Sequence, residues 1–126
     1  MAGILAVSTV LNGSRNVIIK IQISGDADLT SSVLFDASAY LPEVTDNKIW
    51  TIDYVLNGFS ATLYWDATTD VQALAIPTDH PHKNDFSWFG GLVNNAGSGK
   101  TGDILITTKG LTAGDTGTII LEVKKK

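Results

Sequence analysis

Lys48-Ile49-Trp50-Thr51-Ile52-Asp53-Tyr54-Val55-Leu56-Asn57-Gly58-Phe59-Ser60-Ala61-Thr62-Leu63-Tyr64-Trp65 is the stretch on which the fold turns. On either side of Asn57-Gly58 every second residue is apolar: Trp50, Ile52, Tyr54 and Leu56 before it, Phe59, Ala61, Leu63 and Trp65 after it. Period-two alternation marks a strand with one face in a core. Asn-Gly is a preferred type I′ pair, because both central positions of that turn need positive φ. Together these signals predict a hairpin that pairs Leu56 with Phe59, Tyr54 with Ala61, Ile52 with Leu63 and Trp50 with Trp65. The opposite face carries Thr51, Asp53, Val55, Ser60, Thr62 and Tyr64, which is compatible with water.

The same period runs outward in both directions. Val17, Ile19, Ile21 and Ile23 share one face of Asn16 to Ser24, and Ile4 to Leu11 is its expected partner. A four-residue connection, Asn12-Gly13-Ser14-Arg15, sets Val10 opposite Val17 and Ala6 opposite Ile21, matching apolar with apolar. Further strands are expected at Ser32 to Phe35, Val71 to Ile76, Asp103 to Lys109 and Gly117 to Val123, with a turn from Gly110 to Gly114. Helical periodicity is limited to a turn near Ala37 to Leu41. Pro77 to Thr101, about 25 residues, reads as irregular, and a loop of that length usually has a task or packs on a neighbour. The pattern predicts an all-β fold, an antiparallel β-sandwich or a jelly-roll-like small barrel of about seven to nine strands.

With 126 residues the chain fits one domain, 1–126, ending in a basic tail at 124–126. The formal charge is −4, and three of the nine basic residues are Lys124, Lys125 and Lys126, so the body is more acidic than the total. An acidic body repels phosphate backbones and anionic lipid, which argues against nucleic-acid and membrane partners. The lysine tail reads as a solvated end or a local anion contact. Cysteine is absent, which removes disulfides and thiolate metal sites. The N-terminus lacks a basic region, and its apolar run is broken by Ser8 and Thr9, so no signal peptide is expected. No run approaches the roughly 18 apolar residues of a membrane helix.

Chemistry-bearing patterns are sparse. Gly97-Ser98-Gly99-Lys100-Thr101 resembles the end of a phosphate-binding loop, but Asn94 stands where the first glycine belongs and a strand-like run follows instead of a helix. His80-Pro81-His82 points two rings to one side of an extended segment, either as half of a metal site or as an exposed polar loop. No third ligand cluster accompanies it, and Lys83 opposes a cation. Asp26 and Asp28 lack the remaining ligands of a calcium loop and read as an acidic turn. Asp53 and Asp66 are carboxylates that a fold would have to bring together for acid–base work. Neither a nucleophile elbow nor a histidine with nameable partners is present, so no enzyme, no catalytic residue, no metal and no cofactor are expected.

The aromatic residues divide. Trp50, Tyr54, Phe59 and Trp65 on one face read as core or, if exposed, as a sugar-stacking platform. Phe86-Ser87-Trp88-Phe89-Gly90-Gly91 places three large rings in a loop, which reads as a subunit contact or as packing onto its own core. The interface candidates are Phe86, Trp88 and Phe89, with His80 and His82 of the same loop and Leu5 and Val7 of the N-terminal strand. Edge strands of a small sheet also need covering, which a neighbouring subunit can supply.

Several stretches together resemble a family of small virion proteins of tailed bacteriophages, particularly marine ones, found among their capsid genes. They are Ile19-Lys20-Ile21-Gln22-Ile23-Ser24-Gly25-Asp26, Tyr64-Trp65-Asp66-Ala67-Thr68-Thr69-Asp70-Val71, Asp85-Phe86, Phe89-Gly90-Gly91, Asn94-Asn95-Ala96-Gly97, Thr101-Gly102-Asp103-Ile104 and Gly114-Asp115-Thr116. The resemblance implies a decoration or cement protein, a β-sandwich or jelly-roll domain acting as a homotrimer. It further implies binding to the major capsid protein on the virion surface after synthesis in the host cytoplasm. A glycan-binding module of a tail or fibre is the competing expectation.

Overall fold

The computed structural model describes residues 4–13, 16–25, 27–36, 47–77, 82–99 and 101–124. Among these run ten strands: β1 Ile4–Asn12, β2 Asn16–Gly25, β3 Ser32–Phe35, β4 Lys48–Asn57, β5 Ser60–Trp65, β6 Val71–Ile76, β7 His82–Asp85, β8 Leu92–Val93, β9 Ile104–Lys109 and β10 Asp115–Lys124. The count exceeds the expected seven to nine because β7 and β8 lie inside the stretch read as irregular. Both are too short, and β7 too polar, to show a period. The expected helical turn at Ala37 to Leu41 lies outside the described residues.

The strands form two antiparallel sheets, so the fold is a sandwich and not a closed barrel. The larger sheet runs β1-β2-β10-β4-β7, with β8 also on β4, and the smaller runs β3-β9-β5-β6. The orders β2-β10-β4-β7 and β3-β9-β5-β6 are those of a jelly roll, with β1 added at one rim and β8 beside β4. Between the sheets, Val17, Ile19, Ile21 and Ile23 of β2 and Ile119, Leu121 and Val123 of β10 pack with Leu63 and Trp65 of β5 and Ile104 and Ile106 of β9.

The Asn57-Gly58 hairpin is not formed. β4 pairs with β10, β7 and β8, whereas β5 pairs with β6 and β9, so the two halves of the Lys48 to Trp65 stretch lie in different sheets. Gly58 is left-handed at φ +88°, but Asn57 is not, and a type I′ turn needs both. The chain therefore turns a corner. Ile52, Tyr54 and Leu56 still share a core with Phe59, Ala61, Leu63 and Trp65, but as the facing inner surfaces of two sheets. Phe59 plugs the corner above Gly117, where an added Cβ would lie 2.8 Å from its Cζ and 2.7 Å from Leu56 Cδ2.

Two registers also differ from expectation. Between Glu122 and Val123 the β10–β4 pairing shifts, so Glu122 faces Thr51 and Val123 faces Ile49. Trp50 is the extra residue of this bulge and turns out of the core, which Ile49 enters in its place. In β1, Leu5 faces Ile23, Val7 faces Ile21 and Thr9 faces Ile19; a shift at Val10 then brings Leu11 opposite Ile18. The connection still spans four residues but moves one along, closed by the Gly13 amide donating to the Asn16 carbonyl at 2.8 Å. This register places Leu5 and Val7, rather than Ala6 and Val10, on the core side.

Candidate interaction surfaces

Among the described residues, two rims of the larger sheet hold five of the seven large exposed apolar side chains, Val33 of β3 and Ile120 of β10 being the other two. The first is the turn after β7. Asp85, opposite Thr51 on β4, accepts a hydrogen bond from the Ser87 amide at 2.8 Å and starts a single 3₁₀ turn, Ser87–Phe89. The Gly90 amide closes that turn on the Ser87 carbonyl at 3.1 Å, and the Gly91 amide returns to the Phe86 carbonyl at 2.9 Å. Both glycines have positive φ, +89° and +95°, a conformation that a side chain would strain. The Phe86 amide is held by the Trp50 carbonyl at 2.9 Å. Held by these bonds, the turn packs Phe86 against the core and leaves Trp88 82 % exposed. The core-packing reading applies to Phe86, and Trp88 is exposed to solvent. The Ser87 hydroxyl and amide, with Lys83 close by, hold the Asp85 carboxyl below its usual range.

Of the other sequence candidates near this rim, His82 begins β7 opposite Tyr54, and Phe89 ends the 3₁₀ turn. The side chains of both, and the whole of His80, lie outside what the structure describes.

Beside the turn, Asn16, Trp50, Glu122 and Lys124 line a cleft of about 220 Å³. Both carboxylate oxygens of Glu122 are engaged, one by the Asn16 side-chain Nδ2 at 2.8 Å and one by the Thr51 hydroxyl at 3.3 Å. The Lys124 ammonium sits 4.0 Å from the centroid of the Trp50 ring. Lys124 is therefore the last residue of β10 and not part of a loose tail; Lys125 and Lys126 lie outside the described residues. Trp65, the third tryptophan, is fully buried.

The second rim is β1. Leu5 is half-buried against the core, whereas Val7 is 42 % exposed although it faces Ile21, which is 0 % exposed. From Ala6 to Leu11 every side chain of β1 is exposed, whereas Leu5 packs partly on the core. Val10 and Leu11 are also exposed. Sequence reasoning named Leu5 and Val7 but missed Val10 and Leu11, because a bulge that moves side chains between faces leaves no local signal.

The remaining patterns are structural. Asp28 accepts the amides of Leu111 at 2.8 Å and Gly110 at 3.3 Å and the Thr108 hydroxyl at 3.2 Å, tying the β2–β3 and β9–β10 connections together. The Leu111 amide is the main cause of its lowered pKa. Asp26 lies outside the described residues. Gly97-Ser98-Gly99 packs on the β5–β6 loop, with the Thr68 amide donating to the Ser98 carbonyl at 3.1 Å, and the chain then enters β9. A shallow groove of about 340 Å³ there is lined by Thr68, Thr69, Val71, Gly97 and Ser98. Asp53 is on the outer face of β4 opposite Lys83, whereas Asp66 follows β5 in the other sheet and accepts the Thr101 hydroxyl at 2.8 Å, so the two carboxylates are not brought together. Among the described residues no group of three or more His, Asp or Glu side chains is placed to hold a metal ion. Asn47 and Asn94, buried amides that the sequence did not single out, link the loop before β4 to Gly102 and Ala96.

No known protein-family model matches the chain, and no curated protein is detectably similar to it.

Proposed function

We propose that the protein is a non-enzymatic structural component of a tailed-bacteriophage particle, a decoration or cement protein seated on the head shell where major capsid subunits meet. The observation that carries this reading is the pinned turn that presents Trp88 at 82 % exposure, with Val93 of the adjoining β8 also exposed. A backbone held in place before docking has less left to lose in ordering, and tryptophan is among the residues most enriched at the energetic centres of interfaces. The jelly-roll order of the strands supports it as well, since that architecture recurs in viral coat domains and lectins. The phage assignment, the homotrimer, the major capsid protein as partner and the virion as location come from the resemblance of strand and turn residues.

The mechanism is thermodynamic. A protein that binds only the mature lattice stabilises it by mass action, about 2.7 kcal/mol per site at a hundredfold excess over Kd. Linked contacts from a trimer multiply the effect without new chemistry. The test is co-sedimentation with expanded tailed-phage heads stripped of accessory proteins, followed by thermal disruption of the shells. Saturable binding with a higher disruption temperature supports the reading; wild-type protein that stays in the supernatant at every concentration overturns it.

A second reading rests on the same side chain. Of the three tryptophans, Trp65 is buried and the Trp50 ring carries Lys124, which leaves Trp88 as the platform on which a glycan could stack. Fluorescence quenching by a panel of bacterial surface sugars, lost in Trp88→Ala, would favour this alternative over the shell.

A further inference from the structure

The rim opposite Trp88 has the features of a contact between copies of the chain. β1 has β2 on one side and no further strand on the other among the described residues. Natural edges are protected by charge, proline, brevity or bulges. Ile4–Asn12 is nine residues long and contains no charged residue and no proline. Its one protective device is the shift at Val10, which leaves Leu5 to Thr9 in regular register with β2. The core-facing period of β2 continues through Leu5, Val7 and Thr9, of which Val7 and Thr9 are exposed.

We propose that β1 is a self-association edge: two copies pair their β1 strands antiparallel about a twofold axis at Val7, joining two larger sheets into one. A twofold axis normal to the sheet keeps inner face with inner face. In this register Val7 meets Val7 of the second copy, Leu5 meets Thr9 and Ala6 meets Ser8, so no apolar residue is set against a charge. Electrostatics oppose this approach of two acidic bodies only weakly. β2 bears Lys20 but no carboxylate, and the nearest carboxylates borne by a strand, Asp115 and Glu122, are on β10. With strands about 4.8 Å apart, the two Lys20 rows lie about 14 Å apart across the joint and the two β10 strands about 24 Å. Both separations exceed the screening length of about 8 Å at physiological salt. The net charge of −4 therefore opposes this contact weakly.

One strand pair buries less than a standard interface, so the contact belongs to the weak, concentration-dependent class. It would gain strength wherever copies are already held side by side. Being isologous it makes pairs, which distinguishes it from the threefold association implied by the resemblance, and it does not depend on the shell reading.

The chain has no cysteine, so a single introduced one reports without background. Directly opposed residues in an antiparallel pair have Cα atoms about 4.5–5.5 Å apart, within disulfide range. Under mild oxidation Val7→Cys should form covalent dimers about tenfold or more faster than Val33→Cys or Val93→Cys. Those two control positions are more exposed, at 49 % and 56 % against 42 %, so accessibility alone predicts the reverse order. By light scattering, wild-type mass should climb with concentration toward twice 13.4 kDa, and folded Val7→Asp should remain at 13.4 kDa. Cross-linking no faster than the controls overturns the proposal, as does a Val7→Asp variant that associates like the wild type. A Val7→Asp protein that stays at 13.4 kDa when concentrated and still binds shells would support this edge and the proposed function separately.

Discussion

The two rims of the larger sheet meet water in opposite ways. At the β7–β8 rim the strands are four and two residues long, the first bears Lys83 and Asp85, and a hydrogen-bonded turn joins the two. At the β1 rim a nine-residue uncharged strand leaves its side chains from Ala6 to Leu11 exposed. One rim is finished by its own chain and displays one large side chain from a fixed base. The other offers backbone and a row of aliphatic residues, and becomes complete only when another strand arrives. Side-chain display suits recognition of a different molecule, whereas an open uncharged strand suits a copy of itself. Exposure values alone, similar for Val7, Leu11 and Val93, would not have separated them.

The largest expected effect breaks the contrast at its finished rim. Gly91→Val forces a left-handed φ of +95° onto a branched residue and sets its Cβ 3.1 Å from Trp50 and 3.2 Å from Lys48. Urea unfolding should show a loss of about 2–3 kcal/mol; a loss below about 0.5 kcal/mol would mean that the turn is not built into the domain. Next comes Trp88→Ala, expected to change unfolding stability by less than about 0.5 kcal/mol. In the co-sedimentation assay the same variant should weaken shell binding about thirtyfold, the mark of an interface centre. Equal losses of stability and binding would make Trp88 a packing residue.

A smaller effect separates the rims by hydrogen exchange. Amides from Leu5 to Val7 should exchange more slowly as protein concentration rises, while those of Lys83 and Asn84 should be indifferent to it. Indifference at both rims would erase the contrast. The smallest effect is acid sensitivity. Asp28 and Asp85 both have folded pKa values below the ordinary 3.8, so their contribution is complete above that pH and is lost as pH falls through the depressed values. Thermal midpoints measured from pH 5 down to pH 3 should fall, and Asp28→Asn should flatten the fall. Because Asp28 ties loops at the far end while Asp85 starts the Trp88 turn, Asp85→Asn should flatten it and also loosen that turn.

The fold class was legible in the sequence because alternation reports which face of a strand is buried. It says nothing about which strand lies alongside. Ile52 and Leu63 belong to one core whether β4 and β5 are paired or face each other across it, so the hairpin and the corner were locally indistinguishable. Bulges hid the rest. One residue inserted at Trp50 turned an aromatic from core to surface, and another at Val10 shifted a register by one. Phe86 to Phe89 stand out in the sequence as rings in a loop, but only the hydrogen bonds around Ser87 show which ring turns inward. Val10 and Leu11 stand out only by their exposure in the folded chain.

The placement of β10 has a consequence for how the molecule is made. It lies between β2 and β4, yet both are synthesised before it, and its Glu122 bonds to Asn16, 106 positions earlier in the chain. At roughly 5–20 residues per second of translation, on the order of 5–20 s pass before the central strand can be inserted. Until then β2 and β4 each show an open backbone edge, for far longer than the microseconds to seconds a small domain needs to fold. Newborn chains on one messenger could therefore cross-pair before each receives its own middle strand, and a chaperone that shields β2 would raise the yield more than one that acts after release.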